Sequence, residues 1–202
     1  GIHSFLYENH VSLNNIHNSW AKLESKGKFT AQQVKEFKEN LKVCQSDAFS
    51  KDADLCLEAI VENLEIKISV FKKLHDHFDE KTILASNTSS IPIDAMAKEL
   101  PASRRSQFLG LHFFNPATIM KLVEVIGGHY SDKELCSNLA AWFLEKGKKP
   151  ARCSDGPGFI VNRVARNYYG EPFRIIKTEN KKKIEEIDQV MREVGGFRMG
   201  PF

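Results

Sequence analysis

What this 202-residue sequence lacks narrows its function before any motif is considered. Its four cysteines, Cys44, Cys56, Cys136 and Cys153, contain no CxxC pair, so neither a zinc ribbon nor a dithiol redox motif can be assembled from sequence neighbours. Scattered free thiols of this kind fit a reducing compartment and no metal site. No uninterrupted apolar run reaches the roughly 18 residues of a membrane span. The opening segment GIHSFLYENH also lacks the charged start and long apolar core of a signal peptide, so the chain reads as cytoplasmic and off the membrane. The net charge is only +3, and the lysines are dispersed apart from Lys181 to Lys183. That leaves no electrostatic footprint for nucleic acid but keeps anionic small ligands open. No GxGxxG turn, internal repeat or low-complexity segment occurs, and the missing initiator Met suggests a fragment.

The composition itself is that of a globular protein, 42% hydrophobic and 27% charged, with a length suited to one domain or one and a fraction. Short apolar runs at 2–7, 55–61, 82–85, 108–114, 122–126 and 150–153 read as strands. They alternate with segments of helical spacing at 11–25, 31–40, 64–78, 93–100 and 132–146. This alternation predicts an α/β chain with a mostly parallel sheet. After Asp155 the strands stop: a long helical stretch opened by Pro157 and a second helix over 184–194 predict a domain boundary near Ser154, with residues 1–154 before it and 155–202 after it. Pro172 inside the long helix predicts a kink.

In an open parallel sheet, ligands bind beyond the carboxyl ends of the strands, so polar residues that follow apolar runs are the candidates. Glu8 ends the first run, where an acid can hydrogen-bond ribose hydroxyls; it is equally what a solvated surface offers. In EAIVENLEIK, Asn63 is placed to cap a helix, and Lys67 lies in its first turn, unfavourably for the dipole unless an anion or Glu62 is near. An exposed lysine on an amphipathic helix explains it as well. The loop ASNTSS, residues 85–90, offers hydroxyls and amides for a ligand or simply for turns and caps. The run FLGLHFFNPATIMKLVEVIGG holds His112 and Glu124 in two apolar strand segments. Burying either alone costs several kcal/mol, so the simplest arrangement is one in which they meet, as a base with its orienting group; a histidine satisfied within the core is the alternative of equal weight. Asn115 forms a turn with Pro116, and Asn162 stands one helical turn beyond Gly158, facing either a cleft or nothing special.

Taken together, DLCLEAIVENLEIK, ILASNTSSIPI, FLGLHFFNPATIMKLVEVIGG, DGPGFIVNR and IDQVMREVGGFRMGPF make the chain resemble the L-3-hydroxyacyl-CoA dehydrogenase family along essentially its whole length. The resemblance implies a Rossmann-type domain followed by the start of an all-α dimerisation domain, NAD as cofactor, an acyl-CoA substrate and a homodimer for the full-length protein. It makes His112 the general base, supported by Glu124, with Ser89 on the substrate oxygen and Asn162 positioning both. Glu8, Glu62, Lys67, Ser89 and Asn115 become cofactor contacts, with Glu8 where the family usually has Asp, and Ser19 and Lys26 become coenzyme A contacts. The family's first strand, glycine-rich loop and first helix have no counterpart here, nor do its later helices. Among family members the ending looks most like bacterial enzymes of fatty-acid or aromatic-acid degradation. A non-catalytic acyl-CoA-binding or structural relative is the alternative, with sugar-acid dehydrogenases a weaker one.

Overall fold

The computed structural model describes residues 4–6, 10–43, 51–176 and 181–202. By contacts the chain forms two compact units, residues 1–53 and 54–202.

In the first unit, strands β1 (Ser4–Leu6) and β2 (Leu41–Val43) pair in parallel across helices α1 (His10–Ser25) and α2 (Ala31–Asn40). Gly27, at φ 65, ends α1: Lys28 N–H reaches back to the Leu23 carbonyl and Gly27 N–H to that of Glu24. Thr30 then starts α2 with a reciprocal capping box to Gln33. Trp20 and Phe29 both pack on Phe37, with ring centroids 5.6 and 5.2 Å away. The three-residue β2 is too short to stand out as an apolar run.

The second unit is built on five strands in sequence order: β3 (Leu55–Glu58), β4 (Ile83–Ser86), β5 (Phe108–Phe113), β6 (Leu122–Gly127) and β7 (Lys149–Ser154). All neighbours are parallel except β5 and β6. Helix α3 (Leu64–His77) links β3 to β4, and α4 (Ile93–Ala97) and α5 (Ala102–Arg105) link β4 to β5. Helix α6 (Lys133–Glu145) joins β6 to β7, and α7 (Val161–Ile175) and α8 (Lys181–Glu193) follow the sheet. Period-two alternation divides the central strands. Leu109, Leu111, Val123 and Val125 face α6, packing on Cys136, Leu139, Ala140 and Phe143. The opposite face carries Gly110, whose missing Cβ leaves room for Ile93 of α4 and Ile126 of β6, and it also carries His112 and Glu124. Arg104, fully buried, donates to the Phe78, Asp79, Glu80 and Thr82 carbonyls and so satisfies the turn after α3.

Several boundaries differ from the periodicity, each for a local reason. Strand β3 stops at Glu58, short of Val61, because the Glu58 carboxylate folds back to accept the Ile60 N–H at 2.6 Å. Helix α4 ends at Ala97 and tightens into i→i+3 turns at Glu99 and Leu100, since Pro101 disfavours helical backbone just before it. The helix expected from Pro157 begins only at Val161, because Gly158 and Phe159 adopt positive φ. Pro172 lies in the last turn of α7, so most of the helix precedes the hydrogen bond it removes. Among the described residues no helix is long and apolar enough to cross a membrane, and no group of three His, Cys, Asp or Glu is placed to hold a metal.

Candidate active site

Beyond the carboxyl ends of β3, β4 and β5, side chains and backbone from five stretches of the chain are tied into one network. Its floor is a buried ion pair. Lys67 is 1% exposed, and its Nζ lies 2.6 Å from Glu58 Oε1 and 3.5 Å from Glu62 Oε2. Ser86 Oγ donates to the other Glu58 oxygen at 2.7 Å. Lys67 occupies the first turn of α3, capped by Asn63 as expected, and its unfavourable place on the dipole is offset chiefly by Glu58.

Above this pair, Glu62 holds the loop after β4. Its Oε1 accepts from Thr88 Oγ1 at 2.6 Å, from the Ser89 and Ser90 amides at 3.0 and 3.2 Å, and from the Ser89 and Ser90 hydroxyls at 3.3 and 3.2 Å. Partial burial alone would raise the Glu62 carboxyl. The hydrogen bonds from Thr88, Ser89 and Ser90 and the charge of Lys67 outweigh it and lower the pKa to about 2. One oxygen cannot satisfy five donors at full strength, so the longer Ser89 and Ser90 hydroxyl contacts are the ones free to turn elsewhere.

The same loop meets β5 and α7. Asn87 Oδ1 accepts the Phe113 N–H at 2.9 Å, directly beside His112, and Asn162 Nδ2 donates to the Ser89 carbonyl at 3.2 Å. His112 and Glu124 stand opposite each other in the antiparallel register of β5 and β6, with Nδ1 and Oε2 2.7 Å apart. Twelve residues of chain are thus closed into one contact by strand pairing. Glu124 is fully buried, and its second oxygen accepts the Ile160 and Val161 N–H groups at 3.0 and 2.8 Å, at the start of α7. A carboxylate engaged by two backbone donors is an acceptor at its remaining contact too, so the proton between it and His112 sits on Nδ1. His112 Nε2 has no hydrogen-bond partner among the described residues and is not sealed from solvent, which leaves its lone pair available as a base.

The sequence candidates therefore divide. His112, Glu124, Ser89, Asn162, Glu62 and Lys67 belong to one connected network. Lys67 enters it from beneath, through Glu58 and Glu62. Asn115 is exposed at the end of β5, in a cis peptide with Pro116, with its side-chain amide unengaged among the described residues. Ser19, which donates to the Asn15 carbonyl, and Lys26 are exposed around the end of α1 in the first unit. Glu8 lies outside the described residues. Sequence reasoning overlooked Glu58, Asn87 and the turn before α7. Glu58 carries the same signal as Glu124, an acid against an apolar run, whereas two backbone amides leave no trace in a sequence.

For a nicotinamide dinucleotide, the residues present fit in part. The amide of Asn115 and the surplus hydroxyls of Ser89 and Ser90 offer neutral donors and acceptors where a parallel sheet receives ligands. Lys67 is too buried to serve as more than support for Glu62.

Comparison with known proteins identifies the family. Residues 8–156 match the family model described as 3-hydroxyacyl-CoA dehydrogenase, NAD binding domain, and residues 158–202 match the model for that enzyme's C-terminal domain. The chain is 41% identical over 191 residues to 3-hydroxyadipyl-CoA dehydrogenase of Escherichia coli K12, covering 94% of this chain and 39% of that protein. It is 42% identical over 183 residues to the human mitochondrial hydroxyacyl-coenzyme A dehydrogenase, covering 83% and 57%. Among solved structures, 3-hydroxybutyryl-CoA dehydrogenase from Escherichia coli K12 superposes with a TM-score of 0.87 at 38% identity, over 98% of this chain and 42% of that one. The (S)-3-hydroxybutyryl-CoA dehydrogenase from Ralstonia eutropha gives 0.84 at 31%, over 94% and 66%. The chain thus spans about two fifths to two thirds of the length of these relatives. With both domain models matched in order along nearly all of its residues, the chain belongs to the 3-hydroxyacyl-CoA dehydrogenase family.

Proposed function

We propose that the protein containing this chain interconverts (S)-3-hydroxyacyl-CoA and 3-oxoacyl-CoA. The observation that carries the reading is the 2.7 Å contact between His112 Nδ1 and Glu124 Oε2, which leaves Nε2 as the free lone pair. Bound NAD supplies the hydride acceptor at the substrate C3. The chain's residues handle the proton. The substrate 3-hydroxyl gives its proton to His112 Nε2, and the imidazolium that forms keeps its Nδ1–H donating to the Glu124 carboxylate. Ser89 turns its loosely held hydroxyl toward the substrate oxygen, and Asn162 fixes the Ser89 backbone through its carbonyl. In the reverse direction the imidazolium returns the proton.

From the family resemblance, Glu8, Glu62 and Asn115, with Lys67 behind Glu62, are assigned to the cofactor, and Ser19 and Lys26 to the coenzyme A moiety. The dinucleotide domain is assigned to residues 1–154 and the helical domain to 155–202. That division is supported by the change from strands to helices after Ser154 and by the border of the family matches. Exposed apolar residues on α7 and α8, such as Val164, Phe173 and Val190, and Val194 in the turn just past α8, support a homodimer formed through the helical domain. Bacterial relatives and free thiols support a cytoplasmic enzyme of fatty-acid or aromatic-acid degradation.

The test is NADH consumption by the full-length protein with acetoacetyl-CoA and longer or dicarboxylic 3-oxoacyl-CoA substrates. Turnover with at least one of them is expected. Absence of turnover across the series would overturn the reading.

A further inference from the structure

Gly158 and Phe159 take φ values of 72 and 50, two left-handed residues in succession before α7. Glycine is required at the first position: a Cβ there would stand 2.9 Å from the Arg163 amide nitrogen. At the second, glycine would suit the backbone better, and a residue with a side chain costs roughly 1–2 kcal/mol. The phenyl ring must therefore supply something that glycine cannot. It is 4% exposed and lies against the imidazole of His112, with centroids 5.9 Å apart and planes at 57°. Phe114, at 4.5 Å, gives the imidazole a second aromatic neighbour.

The backbone at this point is equally directed. A left-handed residue followed by a right-handed one turns successive N–H groups toward one side, making a concavity for an anion. Phe159 is followed by Ile160 at φ −101 and ψ −60. The anion received is the Glu124 carboxylate, held by the Ile160 and Val161 amides. One residue therefore touches both halves of the pair, Glu124 through the amides it aims and His112 through its ring.

We propose that Phe159 is a positioning residue for the His112–Glu124 pair: its left-handed backbone commits one Glu124 oxygen to α7, and its buried ring restrains the His112 imidazole so that Nδ1 stays on the other oxygen and Nε2 stays aimed at the reacting hydroxyl. The catalytic consequence rests on the reading of His112 as the base, whereas the structural consequence does not.

The test uses the full-length protein with Phe159→Gly, which keeps the turn and removes the ring, and Phe159→Leu, which restores apolar bulk. Phe159→Ala replaces the glycine variant if that one does not fold. In the ring-nitrogen NMR spectrum, His112 of the parent should show a single tautomer protonated at Nδ1, and Phe159→Gly should show a mixture. Its kcat should fall roughly tenfold or more with KM for NADH within about twofold of the parent, and Phe159→Leu should recover part of the loss. A ring-deleted variant with the parental spectrum overturns the proposal, whether kcat is retained or is lost without rescue by leucine. If the parent shows no turnover, the reading of the reaction fails, and the tautomer spectrum still decides the role of Phe159.

Discussion

At Glu124 two carboxylate oxygens face two different structures, a strand partner and a helix start, and their hydrogen bonds compensate a burial that would otherwise cost several kcal/mol. His112 depends on that arrangement for its tautomer. Replacing it by Gln removes the base while leaving the surroundings filled. His112→Gln is expected to lower kcat about 10²–10⁴-fold with NAD affinity nearly unchanged, as read from steady-state rates and calorimetric titration. A variant turning over at the parental rate would exclude His112 as the base. Glu62 makes a separate, pH-dependent contribution. Its carboxyl in the folded chain titrates near 2, below the ordinary value of 4.5. Its stabilisation is therefore complete above about 4.5 and drains away as the pH falls from there toward 2. At 38% side-chain exposure the effect is tempered by solvent screening. Comparing urea midpoints of the parent and Glu62→Gln, the gap should be widest near neutrality and close through that acid window. A gap independent of pH would contradict the hydrogen-bonded carboxylate.

At the scale of elements, the site depends on how closely α4 approaches the sheet. Ile93 of α4 sits over β5 only because residue 110 has no side chain: a Cβ there would lie 2.7 Å from Ile93 Cδ1 and 2.9 Å from Ile126 Cβ. Gly110→Ala should therefore destabilise by about 1–3 kcal/mol through overpacking, measured by chemical denaturation. Unchanged stability would mean that α4 can retreat without loss. The same principle of close approach governs α7, whose start is pinned to the sheet by Glu124 and to the β4 loop by Asn162. Helix α3 enters from the other side, through Lys67 and Glu58. The candidate site is in this sense a set of element ends tied together by polar side chains, with Glu58, Lys67 and Glu124 buried and Glu62 and Asn162 nearer the surface.

On the scale of the whole molecule, the second unit shields its thiols to different degrees, Cys136 buried and Cys56 and Cys153 half-buried. Burial pushes Cys153 up to about 12, with the nearby charges of Glu124 and Asp155 adding to it, and Cys56 up to about 11, with Glu58 adding. Both should alkylate in the folded chain roughly a hundredfold or more slowly than an ordinary thiol at mildly alkaline pH. Loss of that protection should coincide with global unfolding in urea, followed by mass spectrometry of the two cysteine peptides. Rapid labelling of Cys153 in native protein would show that β7 opens independently of the rest.

The α/β alternation, the strand runs around His112 and Glu124, the Asn63 cap and the change to helices after Ser154 were all legible in the sequence, because they follow from periodicities and residue preferences that act over neighbouring positions. Even the meeting of His112 with Glu124 could be argued from the cost of burying each alone. Tertiary structure alone decided the rest. The partner of Lys67 was Glu58 more than Glu62, the hydroxyls of the β4 loop converged on one carboxylate, and the second oxygen of Glu124 was taken by backbone amides 36 and 37 residues away. Backbone donors are the same in every residue, and which of them points at a given carboxylate depends on the turn at Gly158 and Phe159, a geometry that only the packed chain specifies.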